Sequence, residues 1–209
     1  MQNILDTIEE LKQKEVKDVI DRRMKEFEEV GRMENREVFK ELCFCFMTAN
    51  FSAEGGMRIQ QTLGDDFLKL SQEDLAKRLQ ELSHRFPNMR SKFVVHAREN
   101  HANSIKDTLD SLESDREARD WIVRNIKGIG MKEASHFLRN IGYKNIAILD
   151  FHIIDYLARE GLIEKPKTLT PKRYGEIEKV LEQISDKTGL NLGELDLYLW
   201  YKETGKVLK

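Results

Sequence analysis

The sequence predicts an all-α protein, and three observations support this prediction. Only three prolines occur in 209 residues. The strict alternation of apolar and polar residues that marks exposed strands is scarce, and apolar residues instead recur at the three- and four-residue spacing of helix faces. Hydrophobic residues make up 40% of the chain and charged residues 34%, which is typical of a folded globular protein with a highly charged surface.

In the first half of the chain, residues 4–30 are amphipathic and predict one helix or a pair of helices that stops near Gly31. Residues 35–49 are apolar around most of a helical circumference, so we expect them to form the buried central helix. The serines at the start of the next two segments are suitable N-caps. The further helices predicted in this half are 52–62 and 71–82.

In the second half, Ser114 and Glu117 form a predicted capping box, in which each side chain accepts from an unpaired backbone N–H at the helix start. This box begins a helix at 115–126. Thr170 followed by Pro171 is another start signal, because proline lacks the N–H that the first turn leaves unpaired. The later helices are predicted at 131–140, 151–159, 171–187 and 192–202.

Composition excludes several classes of protein. The two cysteines, Cys43 and Cys45, are too few for a four-cysteine cluster and are expected to be buried, reduced thiols. No apolar run approaches the roughly 20 residues of a membrane span, so we expect a soluble, cytoplasmic protein.

A net charge of −2 does not indicate a nucleic-acid binder, so any nucleic-acid site must come from local clustering of basic residues. The most basic neighbourhood is 87–104, which includes His96, Arg98 and His101.

The most informative segment is the turn Lys127-Gly128-Ile129-Gly130 between two predicted helices. Two glycines suit a tight turn because they adopt backbone conformations closed to other residues, while Ile129 is expected to fill the gap between the helices. The turn leaves backbone N–H groups unpaired at the start of the next helix. Together with the helix dipole, these groups form an anion site suited to a DNA phosphate.

This turn, with its flanking apolar residues, resembles the helix-hairpin-helix motif of the DNA-repair glycosylase superfamily. Within that superfamily, the runs 130–135 (GMKEAS) and 205–209 (GKVLK) resemble the compact archaeal-type 8-oxoguanine glycosylase/lyases. The runs 44–53 (FCFMTANFSA) and 93–104 (FVVHARENHANS) are also similar to that family. The resemblance implies a single domain over 1–209 with two helical subdomains and a cleft between them. One lobe is expected at about 35–110, and the N-terminal helix with 111–209, including the hairpin at 115–141, forms the other.

The resemblance also implies the chemistry. Lys132 would be the nucleophile, and Asp150, eighteen positions later and just before a helix, its acidic partner. Breaking an N-glycosidic bond leaves positive charge on the sugar, which a carboxylate stabilises. A neutral amine can attack the same carbon and form a Schiff base, which permits strand cleavage by β-elimination. Asp150 is also placed to cap the helix that follows.

The family resemblance assigns recognition of 8-oxoguanine to Lys209, whose terminal carboxylate could accept the N7 hydrogen that guanine lacks. Trp200 could stack on the base. Asn50 and Ser52 are further candidate pocket residues, and His152 is expected to be structural. No cofactor or catalytic metal is required. A monovalent cation bound by hairpin carbonyls near Ile126 and Ile129 is a further expectation for this class of motif.

The expected partner is double-stranded DNA containing 8-oxoguanine, bound through Lys127, Gly128, Ile129 and Gly130. We expect a monomer with no obligate protein partner. Two alternatives stay open at this stage. The enzyme could excise another lesion, such as an oxidised pyrimidine, by the same amine chemistry. Alternatively, the chain could be a non-catalytic DNA-binding module in which Lys132 contacts a phosphate.

Overall fold

A computed structural model describes all residues from 1 to 209 and contains thirteen α-helices and no β-strand, which confirms the all-α prediction. None of these helices combines the length and apolar character needed to cross a membrane. The helices are α1 Gln2–Lys12, α2 Val16–Gly31, α3 Asn35–Thr48, α4 Ala53–Leu63, α5 Asp66–Lys69, α6 Gln72–Glu81, α7 Pro87–His101, α8 Ile105–Asp110, α9 Asp115–Asn125, α10 Met131–Asn140, α11 Phe151–Arg159, α12 Pro171–Thr188 and α13 Leu192–Thr204.

The structure differs from the predicted elements in small ways. Residues 4–30 form the pair α1 and α2, and the short helices α5 and α8 carry too few turns to produce a periodic signal. At α9, the Ser114 hydroxyl accepts from the Glu117 N–H as predicted, at 3.2 Å. The Glu117 carboxylate, however, accepts from the N–H of Glu113 at 2.9 Å. The reciprocal bond of the predicted capping box is therefore displaced by one residue.

Helix α3 lies at the centre of the larger of two main apolar clusters, and nearly all its side chains from Val38 onward are buried. Cys43 and Cys45 are free and fully buried, as predicted, and burial raises the pKa of both thiols. The second cluster joins α1 to α11, α12 and α13. The hairpin helices α9 and α10 pack in the larger cluster, while Arg119 of α9 bonds to Glu178 of α12 at 2.6 and 2.9 Å. The hairpin thus contacts both clusters, and the lobe boundaries stay a prediction.

The hairpin turn requires a glycine at only one of its two glycine positions. Gly128 has a φ of +93°, and a Cβ added there would lie 2.4 Å from the Phe93 ring. Gly130 has a φ of −99°, which any residue adopts. The expectation that both glycines take conformations closed to other residues is therefore wrong for Gly130. Ile129 is 5% exposed and fills the gap between the helices as predicted.

The two hairpin glycines provide a matched pair of substitutions. Gly128→Ala should lower the free energy of unfolding by about 2–4 kcal/mol, because it adds left-handed strain and a clash with the Phe93 ring. Gly130→Ala should be tolerated, since its nearest neighbour, the Glu133 carboxylate, lies at an ordinary 3.5 Å from the new Cβ. Urea denaturation of both variants measures the difference. Equal stabilities would contradict this account of the turn.

Candidate active site

One face of α10 lines the principal cavity of the molecule. Lys132, His136 and Arg139 are spaced by four and three residues, so their side chains lie on the same side of the helix. They border a cavity of about 340 Å³, which is within the range of small-molecule sites. The remaining wall comes from the start of α11, from α13, from the loop after α3 and from the last two residues of the chain.

Asp150 borders the same cavity from the start of α11. It is the N-cap of that helix, as predicted, and its Oδ1 accepts from the Ile153 N–H at 2.9 Å. This bond fixes the orientation of the carboxylate, because an N-cap side chain must point back along the helix axis to reach the first turn. The second carboxylate oxygen is left to face the cavity or a ligand.

The segment before Asp150 is extended and has no partner strand, yet side chains of α12 satisfy its backbone. The Tyr174 hydroxyl donates to the Ala147 carbonyl at 2.7 Å and accepts from the Leu149 N–H at 3.2 Å. The Glu178 carboxylate accepts from the Ala147 N–H at 3.0 Å. These buried bonds hold the segment rigidly, so the position of Asp150 is set by α12 as well as by its own helix.

Asp150 and Lys132 interact electrostatically across the cavity. Burial raises the pKa of the Asp150 carboxyl above its ordinary value of 3.8, while the Ile153 N–H and the positive charge of Lys132 oppose the rise. The Lys132 side chain is 28% exposed, and its Nζ lies 3.9 Å from Oε1 of Glu133, beyond hydrogen-bonding distance. The amine is therefore accessible from the cavity and is not held by a close ion pair.

A second carboxylate borders the cavity. Asp196 of α13 forms an ion pair with Arg139 at 2.7 Å, and both side chains are nearly buried. Burial raises the pKa of Asp196 to about 6, against the opposing charge of Arg139, and the nearby Asp150 adds to the rise. The site thus holds two carboxyl groups with raised pKa values, which is typical of catalytic clefts.

Aromatic side chains form one rim of the cavity. Phe151 is 67% exposed, the largest exposure among the bulky apolar residues. Its ring lies 3.9 Å from that of His152, which in turn meets the edge of Trp200 at 4.7 Å. His152 thus packs between two aromatic rings, in agreement with its predicted structural role. The Trp200 indole N–H is buried without an acceptor, so a ligand in the cavity could pair with it.

The C-terminal segment folds back so that Leu208 and Lys209 border the cavity. Lys209 Nζ donates to the buried carboxylate of Glu41 at 2.7 Å. The structure therefore brings four of the predicted site residues to one cavity: Lys132, Asp150, Trp200 and Lys209.

The predicted DNA-binding residues lie outside the cavity, on the hairpin. Lys127, Gly128 and Gly130 are exposed, whereas the Ile129 side chain is buried. Gly130 supplies no side-chain cap to α10, so its first-turn N–H groups are available for an anion. Ile129 N–H donates weakly to the Ile126 carbonyl at 3.3 Å. The cation site near these two residues stays a prediction.

The other candidates separate into cavity and structural residues. Asn50 borders the cavity, but Ser52 caps α4 by accepting from the Gly55 N–H. Arg98 donates to two backbone carbonyls, those of Phe67 and Leu70. His101 packs its ring on Trp121, so of these three basic candidates only His96 is exposed. No group of three or more His, Cys, Asp or Glu side chains is arranged to hold a metal ion.

Sequence reasoning missed several cavity residues. His136 and Arg139 follow Lys132 at helical spacing, and Asp196 precedes Trp200 by one turn, so the helical period could have identified all three. Glu41, the partner of Lys209, could not be identified from helical spacing. The two residues are 168 positions apart in the sequence, so no local pattern connects them.

An all-α fold in which a glycine hairpin adjoins an amine and a half-buried carboxylate is the arrangement of helix-hairpin-helix DNA glycosylases. Comparison with known proteins gives the family. The family model described as 8-oxoguanine DNA glycosylase matches residues 20–190. The chain belongs to this 8-oxoguanine DNA glycosylase family.

Individual relatives agree with this assignment along the whole chain. A protein of Korarchaeum cryptofilum named 8-oxoguanine DNA glycosylase/AP lyase is 53% identical over 99% of this chain and 98% of its own length. The crystal structure of the Methanocaldococcus jannaschii glycosylase/lyase with a 15mer DNA containing 8-oxoguanine is similar with a TM-score of 0.96, at 52% identity over both complete chains. The 8-oxoguanine DNA glycosylase of Thermotoga maritima gives a TM-score of 0.93 at 41% identity, over 100% of this chain and 99% of its own.

Proposed function

We propose that this protein removes 8-oxoguanine from DNA and then cleaves the strand at the resulting abasic site. The observation that carries the proposal is that an accessible amine, Lys132, and a half-buried carboxylate, Asp150, border one cavity. Family membership supports the choice of substrate, since the relatives named above are 8-oxoguanine glycosylases.

In the proposed reaction, the damaged nucleotide leaves the base stack and enters the cavity, because the glycosidic bond is shielded within the duplex. The neutral amine of Lys132 attacks C1′ as the bond to the base breaks, and the base leaves with the bonding electron pair. The Asp150 anion stabilises the positive charge that develops on the sugar. The base takes up a proton, and the attacking nitrogen releases one.

Opening of the sugar ring then gives a Schiff base between Lys132 and C1′. Loss of a proton from C2′ expels the 3′ phosphate by β-elimination, and water hydrolyses the Schiff base to release the enzyme. The same lysine therefore serves both the glycosylase and the lyase step. No step requires a metal ion or an organic cofactor.

For base recognition, we assign Lys209 and Trp200. Lys209 borders the cavity, where it can contact the edge of the base that differs between 8-oxoguanine and guanine. Trp200 offers both a ring face and a buried N–H without an acceptor, so it can stack on a base or donate to it. The exposed ring of Phe151 at the rim can cover the extruded nucleotide.

For DNA binding, we propose that the hairpin turn Gly128-Ile129-Gly130 holds a phosphate through the backbone N–H groups of Gly128 and Gly130, with Lys127 beside them. The Ile129 N–H donates to the Ile126 carbonyl instead. This mode requires local donors, not a large net charge, and so is compatible with a formal charge of −2. We further propose that the protein acts on double-stranded DNA as a monomer in the cytoplasm, without an obligate protein partner.

The test is an excision assay on duplexes that each carry a single lesion. The proposal predicts release of 8-oxoguanine with strand cleavage, and much slower release of undamaged guanine. Faster excision of an oxidised pyrimidine than of 8-oxoguanine would instead support the alternative substrate. Tight lesion binding with no excision of any base would support the non-catalytic module.

The pH dependence of excision follows from the raised pKa values of the cavity carboxyls. Burial raises the pKa of Asp150 above 3.8 and that of Asp196 to about 6. An acid with a raised pKa keeps its proton to higher pH, so the Asp150 anion is lost at a higher pH than that of an ordinary aspartate. We expect single-turnover excision to decline as the pH falls from neutrality into the acid range. A rate constant that stays flat to pH 4 in protein that remains folded by circular dichroism would contradict this.

A further inference from the structure

The chain from residue 205 to 209 returns into the cavity, although terminal segments are ordinarily mobile. Helix α13 stops at Gly205, whose left-handed φ of +71° turns the chain back. The Lys209 side chain is 17% exposed. A flexible lysine loses much conformational freedom when it is fixed in this way, so specific contacts must hold it.

The first contact is an ion pair with Glu41 in the middle of α3. Glu41 is 3% exposed, and its carboxylate accepts from Lys209 Nζ at 2.7 Å, from the Asn140 amide at 2.7 Å and from the Gln60 amide at 3.0 Å. The two amides are neutral, so Lys209 supplies the only positive charge bonded to this carboxylate. Removal of either charge would leave the other buried without a partner, which is strongly unfavourable.

The second contact is with the Phe44 ring. Lys209 Nζ lies 4.6 Å from the centre of that ring, a cation–π distance. The His136 ring meets Phe44 edge-on at 5.5 Å, so the ring that Lys209 packs on is itself held in place.

We propose that Glu41 is a positioning residue that fixes Lys209 in the cavity and thereby sets the preference for 8-oxoguanine over guanine. Glu41 holds the Lys209 ammonium group, and the Phe44 ring packs on the same group, so that the residue presents one conformation to the base. The inference rests on the proposed function, because it assumes that Lys209 reads the base. It extends that function to a side chain that does not touch the reacting atoms.

The test compares three single-turnover rates for each variant: excision of 8-oxoguanine, excision of guanine, and cleavage at a preformed abasic site. Cleavage at the abasic site involves no base, so it reports the catalytic residues and the fold alone. Glu41→Gln should lower the ratio of the two excision rates by roughly tenfold to a hundredfold, because a misplaced contact costs about that much. Its cleavage of abasic DNA should be unchanged.

Glu54→Gln is the matched control, since Glu54 forms an exposed ion pair with Lys206 of the same segment. The substitution is chemically identical, but an exposed pair contributes little to stability, so the excision ratio should remain that of the wild type. If Glu41→Gln instead lowers all three rates together, Glu41 is structural and the inference is wrong. A double variant tests whether Glu41 acts through Lys209. Glu41→Gln combined with Lys209→Met should have the same ratio of excision rates as Lys209→Met alone. A further fall of the ratio in the double variant would show that Glu41 acts independently of Lys209.

The excision assay separates the two proposals. If wild-type protein excises no 8-oxoguanine, the proposed function fails. If the wild type discriminates between the two bases and Glu41→Gln discriminates equally well, only the present inference fails.

Discussion

Lys132→Gln is expected to abolish the covalent adduct that borohydride traps between the protein and DNA containing 8-oxoguanine. Glutamine has a similar length but no nucleophilic amine, so the Schiff base cannot form. Excision and strand cleavage should both fall by at least about 10³-fold, the scale of losses seen when an enzyme nucleophile is removed. Denaturing gel electrophoresis of borohydride-treated reactions measures the adduct, and single-turnover kinetics measure the rates.

The control is Lys179→Gln, which replaces an exposed lysine of α12 that does not border the cavity. This variant should form the adduct at the wild-type rate. Lys132→Gln should still bind lesion DNA, because the hairpin donors belong to the backbone. A trapped adduct of undiminished yield in Lys132→Gln would show that another amine is the nucleophile.

Asp150→Asn is expected to lower excision by about 10²–10³-fold, the cost of removing one preorganised electrostatic group from a transition state. Stability should not fall. Asparagine retains the oxygen that accepts from the Ile153 N–H, and asparagine is as good an N-cap as aspartate. Excision kinetics together with urea denaturation measure the two effects separately.

The sign of the stability effect follows from the raised pKa of Asp150. The folded protein holds the proton more tightly than the unfolded chain, so this group's contribution to stability is lost as the pH rises through the raised pKa. Asparagine has no charge to bury. Near neutral pH, the free energy of unfolding of the Asp150→Asn variant should therefore equal or exceed that of the wild type. Asp150→Ala should lose about 1 kcal/mol with the cap. A large loss of stability in Asp150→Asn would contradict the raised pKa of Asp150 and the view that its charge serves catalysis and not stability.

The elements of the site that depend on local sequence could be predicted. The N-cap role of Asp150, the turn around Gly128 and the burial of Ile129 each depend on residues within one or two turns of one another. Spacing along α10 also places Lys132 on one face with His136. Family resemblance added the pairing of Lys132 with Asp150 across eighteen positions, which no helical period specifies.

Contacts between distant segments could not be predicted from the sequence. The bond between Lys209 and Glu41 joins the last residue to the central helix, and only the packing of α3, α10 and α13 brings them together. The bonds from Tyr174 and Glu178 to the segment before Asp150 are of the same kind. A lysine or glutamate in a highly charged chain carries no local sign of such a partner.

The central claim is that the Lys132 amine bonds to the same sugar carbon whose charge Asp150 stabilises. The most direct measurement is mass spectrometry of the proteolysed, borohydride-trapped adduct. The account predicts a sugar remnant on the peptide that contains Lys132, with the same modification formed much more slowly in Asp150→Asn. A remnant on any other lysine or on the N-terminal amine would contradict it.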